Sequence, residues 1–193
     1  MNIDRALAIE GTSLPLEELE WLAKRSANHS RIVEIGSYLG RSTAALSDNT
    51  TGTVVAVDVW DDAAQSRAEV VQARYPHDNG QAQGGRLFDA FCKNKGTNVT
   101  PVQMTSLDAA NMFTEQGQQF DMIFIDASHD YESVKNDILA WRPLLVEGGL
   151  LCGHDYGRYG VTRAVDEMIS DLLVSGFIWA TIKPRRVLWR AQD

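Results

Sequence analysis

The chain has few of the features that mark secreted, membrane-spanning or nucleic-acid-binding proteins. It contains two cysteines, Cys92 and Cys152, which lie far apart in apolar surroundings, so we expect reduced core thiols and no disulfide. It has no run of eighteen apolar residues and no basic-then-apolar leader, so no membrane association is predicted and a cytoplasmic location is expected. The formal net charge of -8 disfavours non-specific binding to nucleic acid or to an anionic membrane.

The remaining composition is typical of one compact folded domain. Of the 193 residues, 44% are hydrophobic and 23% are charged, and we find neither a low-complexity tract nor an internal repeat. Residues 1–193 are therefore predicted to form a single domain that begins with a helical segment over residues 1–30. Residues 60–85 are predicted to be an insertion, because they exceed the usual length of a connection. This insertion fits a lid or acceptor-binding segment and equally a plain surface loop.

Short apolar runs alternate with helical patterns along the chain. Strands are predicted over residues 31–35, 53–57, 98–104, 120–125 and 149–152, and helices over residues 14–23, 42–47, 86–95 and 161–174. Two further strands, over residues 177–181 and 187–190, are predicted to form a hairpin that turns near Pro184. The expected fold is α/β: a doubly wound, Rossmann-like, mostly parallel seven-stranded sheet with a C-terminal antiparallel hairpin.

A glycine-containing turn with the sequence EIGSYLG follows the first predicted strand. Gly36 and Gly40 allow the backbone to turn sharply and to approach a ligand closely. Glu34 suits a ligand that carries a cationic amine, because a carboxylate would repel a phosphate. The segment lacks the G-x-G-x-x-G spacing of a dinucleotide-binding loop. Taken alone, it also fits an ordinary turn between a strand and a helix.

Acidic residues stand at the carboxyl ends of three other predicted strands. Asp58 follows the second strand, Asp126 the fourth, and Asp155 the fifth. Because parallel sheets of this type bind ligands in the crevice outside the carboxyl ends of their strands, these side chains are predicted to share one site.

Five motifs together resemble the class I S-adenosylmethionine-dependent methyltransferases over nearly the whole chain from Leu14. They are EIGSYLG, VVAVD ending at Asp58, TSLDAA, which we interpret as a turn, FDMIFIDASHDY over residues 120–131, and the terminal hairpin. Residues 120–156, which include PLLVEGGLLCGHDY, are most similar to the small-molecule O-methyltransferases of the macrocin, catechol and caffeoyl-coenzyme A type. The resemblance implies S-adenosylmethionine as cofactor, a hydroxyl of a sugar, phenol or secondary metabolite as acceptor, and a homodimer as one assembly to expect.

The resemblance also implies a set of cofactor-binding residues. Glu34 would face the methionine part of the cofactor together with the backbone, and the Asp58 carboxylate would accept hydrogen bonds from both ribose hydroxyls. Val59 or Trp60 would line one side of the adenine. The full set of cofactor-binding residues that the resemblance implies is Glu34, Gly36, Ser37, Gly40, Ser42, Asp58, Val59, Ser106, Leu107 and Asp126.

A second group of residues carries the expected chemistry. In the metal-dependent relatives, residues at the positions of Asp126, His154 and Asp155 hold magnesium, so these three are the predicted metal ligands. His154 stands where those relatives have a carboxylate, and imidazole favours manganese over magnesium. His154 is alternatively a catalytic general base, or a strand-end histidine bonded to Asp155. His129 is the other candidate base, and a surface or helix-capping histidine fits it equally well.

Two other functions remain open from the sequence. A nicotinamide-dependent (NAD) oxidoreductase shares the pattern of strands that end in acidic residues, although the glycine spacing argues against it. A protein that binds the cofactor without turnover would also keep this pocket, because fold alone does not establish activity.

Overall fold

Seven strands form one mixed sheet in the computed structural model, which describes residues 1–12, 14–61 and 87–184. The strands are β1 (Arg31–Ile35), β2 (Thr53–Asp58), β3 (Val99–Gln103), β4 (Phe120–Ile125), β5 (Leu145–Gly153), β6 (Leu173–Ser175) and β7 (Ile178–Ile182). Their order is β3-β2-β1-β4-β5-β7-β6. The first five strands are parallel, and β7 runs antiparallel to both β5 and β6. This arrangement confirms the predicted fold class.

Helices cover both faces of the sheet. They are α1 (Asp4–Ala8), α2 (Leu16–Ser26), α3 (Arg41–Ser47), α4 (Leu87–Asn94), α5 (Ser106–Glu115), α6 (Tyr131–Trp141) and α7 (Tyr159–Met168), with a 3-10 turn over Arg142–Leu144. Helices α1 to α4 pack on one face and α5 to α7 on the other. Among the described residues, no helix is long and apolar enough to cross a membrane.

Alternation along the strands explains why the sheet is covered twice. Ile32 packs with the first group of helices, whereas its neighbour Val33 packs with the second. Successive strand side chains point to opposite faces, so an apolar run such as that of β1 must be buried on both sides. The structure thus has one apolar layer on each face of the sheet.

The strand order of the sheet reverses where β1 and β4 lie side by side. The chain moves outward from β1 through β2 to β3 and then returns to place β4 on the other side of β1. Backbone hydrogen bonds continue beyond the strand ends, since the Asp126 N–H donates to the Ile35 carbonyl at 2.7 Å and the His154 N–H donates to the Ile125 carbonyl at 3.0 Å. These bonds fix the segments that leave the sheet at its switch point, where ligands of such folds bind.

One prediction about the C-terminal part was wrong in its boundary. The helix predicted over residues 161–174 ends at Met168, and Ile169 is already extended. Residues 173–175 instead form β6, which pairs with β7 in a hairpin that turns at Gly176. An apolar run this short fits a helix and a strand equally well, and only the pairing with β7 decides between them. The strand predicted over residues 187–190 lies outside the described residues.

Other boundaries differ less. The segment TSLDAA is the start of α5 and not a turn, because Thr105 caps the helix by accepting a hydrogen bond from the Asp108 N–H. Helices α1 and α2 both lie in the segment over residues 1–30 that was predicted to be helical, and β5 is longer than its predicted core. The insertion predicted at residues 60–85 lies, from residue 62 onward, outside the described residues.

Candidate active site

A cavity of about 770 Å³ opens at the carboxyl ends of the parallel strands. Its wall contains most of the residues that the sequence predicted. These are Gly36, Ser37, Ser42, Asp58, Val59, Ser106, Leu107, Asp126, His129, His154 and Asp155. The wall does not include Glu34 or Gly40.

Gly36 allows the tips of β1 and β4 to meet at the cavity. Its φ angle is +88°, and a Cβ atom built on it would lie 2.1 Å from the Asp126 carbonyl oxygen. Neither the backbone conformation nor the space admits a side chain. Gly40 acts differently, because it precedes α3 with φ +89° and its N–H donates to the Ser37 carbonyl at 2.8 Å. Gly40 therefore shapes the turn without lining the cavity.

Glu34 lies beneath the cavity and not in its wall. Its side chain is fully buried, and one carboxylate oxygen accepts a hydrogen bond from the Thr43 hydroxyl. The other oxygen has no hydrogen-bond partner among the described residues. Burial raises the pKa of Glu34 to about 7. In this geometry the Glu34 carboxylate is not positioned to contact a ligand in the cavity directly.

Asp58 fastens two backbone segments at the edge of the cavity. One carboxylate oxygen accepts a hydrogen bond from the Tyr38 N–H at 2.9 Å, and the other accepts one from the Trp60 N–H at 2.8 Å. Each oxygen retains a lone pair for a ligand. Val59 lines the cavity, whereas Trp60 is buried against Phe88 and Phe91, so only Val59 can contact a ligand there.

Five ionisable side chains cluster at the other end of the cavity. His129 Nε2 lies 2.5 Å from an Asp155 carboxylate oxygen. His154 Nδ1 lies 3.7 Å from Asp126 Oδ1 and 3.6 Å from Asp155 Oδ2. Arg158 donates to the second Asp155 oxygen at 2.6 Å. This cluster brings together all the predicted catalytic and metal-binding residues.

Glu18 of α2 orients His154 from behind the cluster. His154 Nε2 donates to Glu18 Oε2 at 2.7 Å, and the backbone N–H of Phe177 donates to Glu18 Oε1 at 2.8 Å. Since Nε2 is thereby occupied, Nδ1 is the nitrogen that faces Asp126 and Asp155. Glu18 was not predicted as a site residue, because nothing in an amphipathic helix marks one glutamate as facing a distant strand end.

The charges of this cluster depend on one another. Burial alone would favour neutral imidazole, but Asp155, Asp126 and Glu18 outweigh it and raise the pKa of His154 to about 9. Burial, opposed by His154, raises the pKa of Asp126 to about 6. Although burial opposes it, the two histidines hold the pKa of Asp155 far below its usual range. In the free protein at neutral pH, His154 is therefore a cation between carboxylates.

The donor atoms fit a divalent metal ion. One atom each from Asp126, His154 and Asp155 lies within 4.8 Å of the others. An imidazole whose far nitrogen is bonded to a carboxylate is the usual arrangement of a metal-ligating histidine. Two carboxylate oxygens and one nitrogen suit manganese better than magnesium. A proton on His154 can neutralise the same carboxylates. The geometry is therefore compatible with a bound divalent metal ion and equally with a protonated imidazole.

The end of the cavity near α5 holds a polar chain, of which only Ser106 was predicted from the sequence. Ser106 donates from its hydroxyl to Asp137 Oδ1 at 2.5 Å, and Trp141 Nε1 donates to Ser106 Oγ at 2.9 Å. Asp137 lies on α6 and lines the cavity. Its position in an otherwise ordinary helical pattern gave no signal in the sequence.

Comparison with known proteins agrees with this architecture. A family model described as "Methyltransferase domain" matches residues 33–156. The chain belongs to the methyltransferase domain family. The predicted class I S-adenosylmethionine-dependent methyltransferase is thereby confirmed, and the predicted alternative of a nicotinamide-dependent oxidoreductase is not favoured. No curated protein sequence matches the chain.

Solved structures of methyltransferases share the fold at low sequence identity. An O-methyltransferase from Bacillus cereus in complex with SAH is 17% identical, with a TM-score of 0.58 over 89% of this chain and 83% of that one. The O-methyltransferase TomG from Streptomyces achromogenes, in complex with SAM, is 16% identical, with a TM-score of 0.59 over 94% and 86%. The N-methyltransferase NodS from Bradyrhizobium japonicum is 16% identical, with a TM-score of 0.53 over 88% and 94%.

Proposed function

We propose that the protein binds S-adenosylmethionine in this cavity and methylates a hydroxyl group of a small molecule. The observation that carries the proposal is that one cavity joins the glycine turn and Asp58 to the cluster of His129, His154, Asp126 and Asp155. A cofactor site and a site for acid–base chemistry are thus continuous. The O-methyltransferases of similar fold support a hydroxyl as the acceptor.

The cofactor-binding residues divide between the two ends of the molecule that they would hold. The remaining lone pairs of the Asp58 carboxylate accept the ribose hydroxyls, and Val59 and Leu107 provide apolar surface for the adenine. Gly36, Ser37 and Ser42 surround the amino-acid part. Asp126 accepts a hydrogen bond from its ammonium group, and Glu34 supports that ammonium by its charge from below.

The cofactor supplies an electrophilic methyl group on a positively charged sulfur. The chain must therefore align the acceptor oxygen with that methyl group and remove the hydroxyl proton. Both ring nitrogens of His154 face carboxylates, which raise its pKa to about 9, so His154 is poorly placed to accept this proton. We assign the role of general base to His129, whose side chain is 44% exposed and is bonded to Asp155.

A divalent metal would be held by Asp126, His154 and Asp155, with Glu18 orienting the imidazole. When bound, it would lower the pKa of the acceptor hydroxyl and orient that hydroxyl toward the methyl group. Without it, protonated His154 would still offer a positive charge to a developing alkoxide. Both arrangements use the same side chains.

Two measurements test the proposal. In the first, the purified protein is titrated calorimetrically with S-adenosylhomocysteine and, in parallel, with NAD. We expect micromolar binding of the former alone, and binding of NAD alone would overturn the assignment. In the second, labelled methyl transfer to a panel of sugars, phenols and amines is measured with Mn²⁺ or with a chelator. Product from a hydroxyl acceptor supports the proposal, whereas cofactor binding without any transfer would indicate a binding protein without turnover.

A further inference from the structure

Asp137 is a buried carboxylate that the proposed chemistry does not use. It lies on α6 at the end of the cavity formed by Ser106 and Leu107, and only 5% of the residue is exposed. Among the described residues, no lysine, arginine or histidine forms an ion pair with it. A buried carboxylate without a cation needs hydrogen-bond donors, because burial deprives it of water.

The polar chain beside Asp137 shows which donors it already has. The Trp141 N–H occupies an acceptor position of the Ser106 hydroxyl, so the hydroxyl proton points to Asp137 Oδ1. Asp137 is therefore held as a hydrogen-bond acceptor in a fixed orientation. Within the described part of the chain, Oδ2 receives no hydrogen bond, and Asp137 is one of the residues that line the cavity.

The charge state of Asp137 is consistent with this role. Burial, opposed by the hydrogen bond from Ser106, raises the pKa of Asp137 to about 6. The group is thus mainly ionised at neutral pH and offers only acceptor oxygens. A ligand placed beside it must bring a donor.

We propose that Asp137 recognises the exocyclic amino group of the cofactor's adenine and so determines base specificity. This inference rests on the proposed cofactor, whose ribose is assigned to Asp58 and whose adenine is assigned to Val59 and Leu107. Adenine linked to ribose has one N–H donor group, the 6-amino group. The carboxylate Oδ2 is an acceptor at the same end of the cavity, and a ligand without that amine leaves it unpaired.

A purely structural role is the main alternative. Asp137 connects α6 to the first turn of α5 through Ser106, so its loss would lower stability in either case. Base discrimination separates the two roles. A structural residue affects two cofactor analogues equally, whereas a recognition residue affects only the analogue that carries the amine.

The test compares S-adenosylhomocysteine with its analogue in which hydrogen replaces the 6-amino group. We expect the wild-type protein to bind S-adenosylhomocysteine about tenfold more tightly than the analogue, and Asp137→Ala to bind both equally. Asn136→Ala, the neighbouring cavity residue on the same helix, should keep the wild-type ratio.

Asp137→Asn serves as a second variant that preserves shape if Asp137→Ala fails to fold. Since Ser106 donates to Oδ1, the amide nitrogen of this variant would face the cavity as a donor, so its ratio of the two affinities should also fall to about one or below. An unchanged ratio in the Asp137 variants, or a wild-type ratio near one, would overturn the inference while leaving the proposed function intact. If the wild-type protein binds no S-adenosylhomocysteine at all, the proposed function itself is wrong and the inference fails with it.

Discussion

Glu18 and His154 are 136 positions apart in the chain, yet a hydrogen bond of 2.7 Å joins their side chains. The bond connects α2 to the end of β5, and the Phe177 N–H holds the same carboxylate from the β6–β7 hairpin. Both Glu18 and Phe177 lie outside the residues 33–156 that match the methyltransferase family model. The orientation of a candidate metal ligand therefore depends on parts of the chain that the family match does not include.

Replacement of Glu18 by glutamine should weaken metal binding. A glutamine amide has one acceptor oxygen, so it cannot accept hydrogen bonds from both His154 and Phe177 with separate oxygens. We expect the affinity for Mn²⁺, measured by calorimetry or by electron paramagnetic resonance, to fall about 10–100-fold. Glu17→Gln, an exposed change on the same helix, is the matched control.

Two outcomes would contradict this prediction. Equal Mn²⁺ affinity in the wild-type protein and both variants would show that the orientation of His154 does not depend on Glu18. If the wild-type protein binds no Mn²⁺, the proposed metal role is wrong, and protonated His154 is the cation that the carboxylates surround.

Gly36 should tolerate no side chain. Alanine at this position would place its Cβ 2.1 Å from the Asp126 carbonyl oxygen and would hold a φ of +88°. We expect Gly36→Ala to lower the free energy of unfolding by roughly 2–4 kcal/mol and to abolish binding of S-adenosylhomocysteine.

Gly117→Ala is the matched control for this experiment. Gly117 also has a positive φ, of +63°, but nothing lies within 4 Å of the position that a Cβ would take. Replacement of Gly117 by alanine should lower the free energy of unfolding by only about 1 kcal/mol, the cost of a positive φ for a residue with a Cβ. It should leave ligand binding unchanged. Similar losses in the two variants, measured by chemical denaturation, would mean that the contact with Asp126 does not matter.

The sequence predicted the parallel part of the sheet because its signals are local. Strands β1, β2, β4 and β5 contain short apolar runs, and acidic residues stand at or just beyond three of their ends, at Asp58, Asp126 and Asp155. The carboxyl ends of the five parallel strands lie along the same edge of the sheet. The position of the cavity therefore followed from the strand assignments alone. Wherever a functional residue stands directly after such a strand, the sequence could place it.

Residues that reach the site from helices could not be placed in this way. Glu18 and Asp137 occupy ordinary positions in amphipathic helices, and only tertiary packing shows that they face His154 and Ser106. Glu34 shows the opposite case, in which the sequence places a side chain closer to a ligand than the structure does. Its position in the motif suggested contact with a ligand, but the strand alternation directs its side chain beneath the cavity, toward Thr43.

The buried carboxyl of Glu34 should make stability depend on pH. Its pKa rises from 4.5 in the exposed state to about 7 in the fold, because burial disfavours the ionised form. The folded protein thus binds the proton more tightly than the unfolded chain, and this stabilising contribution is complete below about pH 4.5. It is lost as the pH rises through 7, and its full size is on the order of 3 kcal/mol.

Urea denaturation at several pH values between 4.5 and 8 would test this dependence. The free energy of unfolding of the wild-type protein, measured relative to Glu34→Gln, should decrease as the pH rises. A difference that stays constant over this range would show that Glu34 does not titrate as its burial implies.

Asp58 and Asp121 provide the sharpest test of the cofactor assignment, because they make similar bonds at opposite ends of the sheet. Asp58 accepts hydrogen bonds from two backbone N–H groups at the carboxyl ends of the strands. Asp121 accepts bonds from the N–H groups of Ser30 and Arg31, both at 2.9 Å, near the start of β1. Replacement of either residue by asparagine should lower the free energy of unfolding by a similar amount, roughly 1–3 kcal/mol.

Only the replacement of Asp58 should change the affinity for the ligand. We expect Asp58→Asn to weaken S-adenosylhomocysteine binding about 100-fold, because the ribose hydroxyls lose a charged acceptor, and Asp121→Asn to leave the affinity within about threefold of the wild-type value. Calorimetry on both variants, at a temperature well below their unfolding midpoints, measures the two effects separately. Equal weakening by both variants would attribute the loss to general destabilisation, and unchanged binding in Asp58→Asn would exclude the carboxylate as the ribose acceptor.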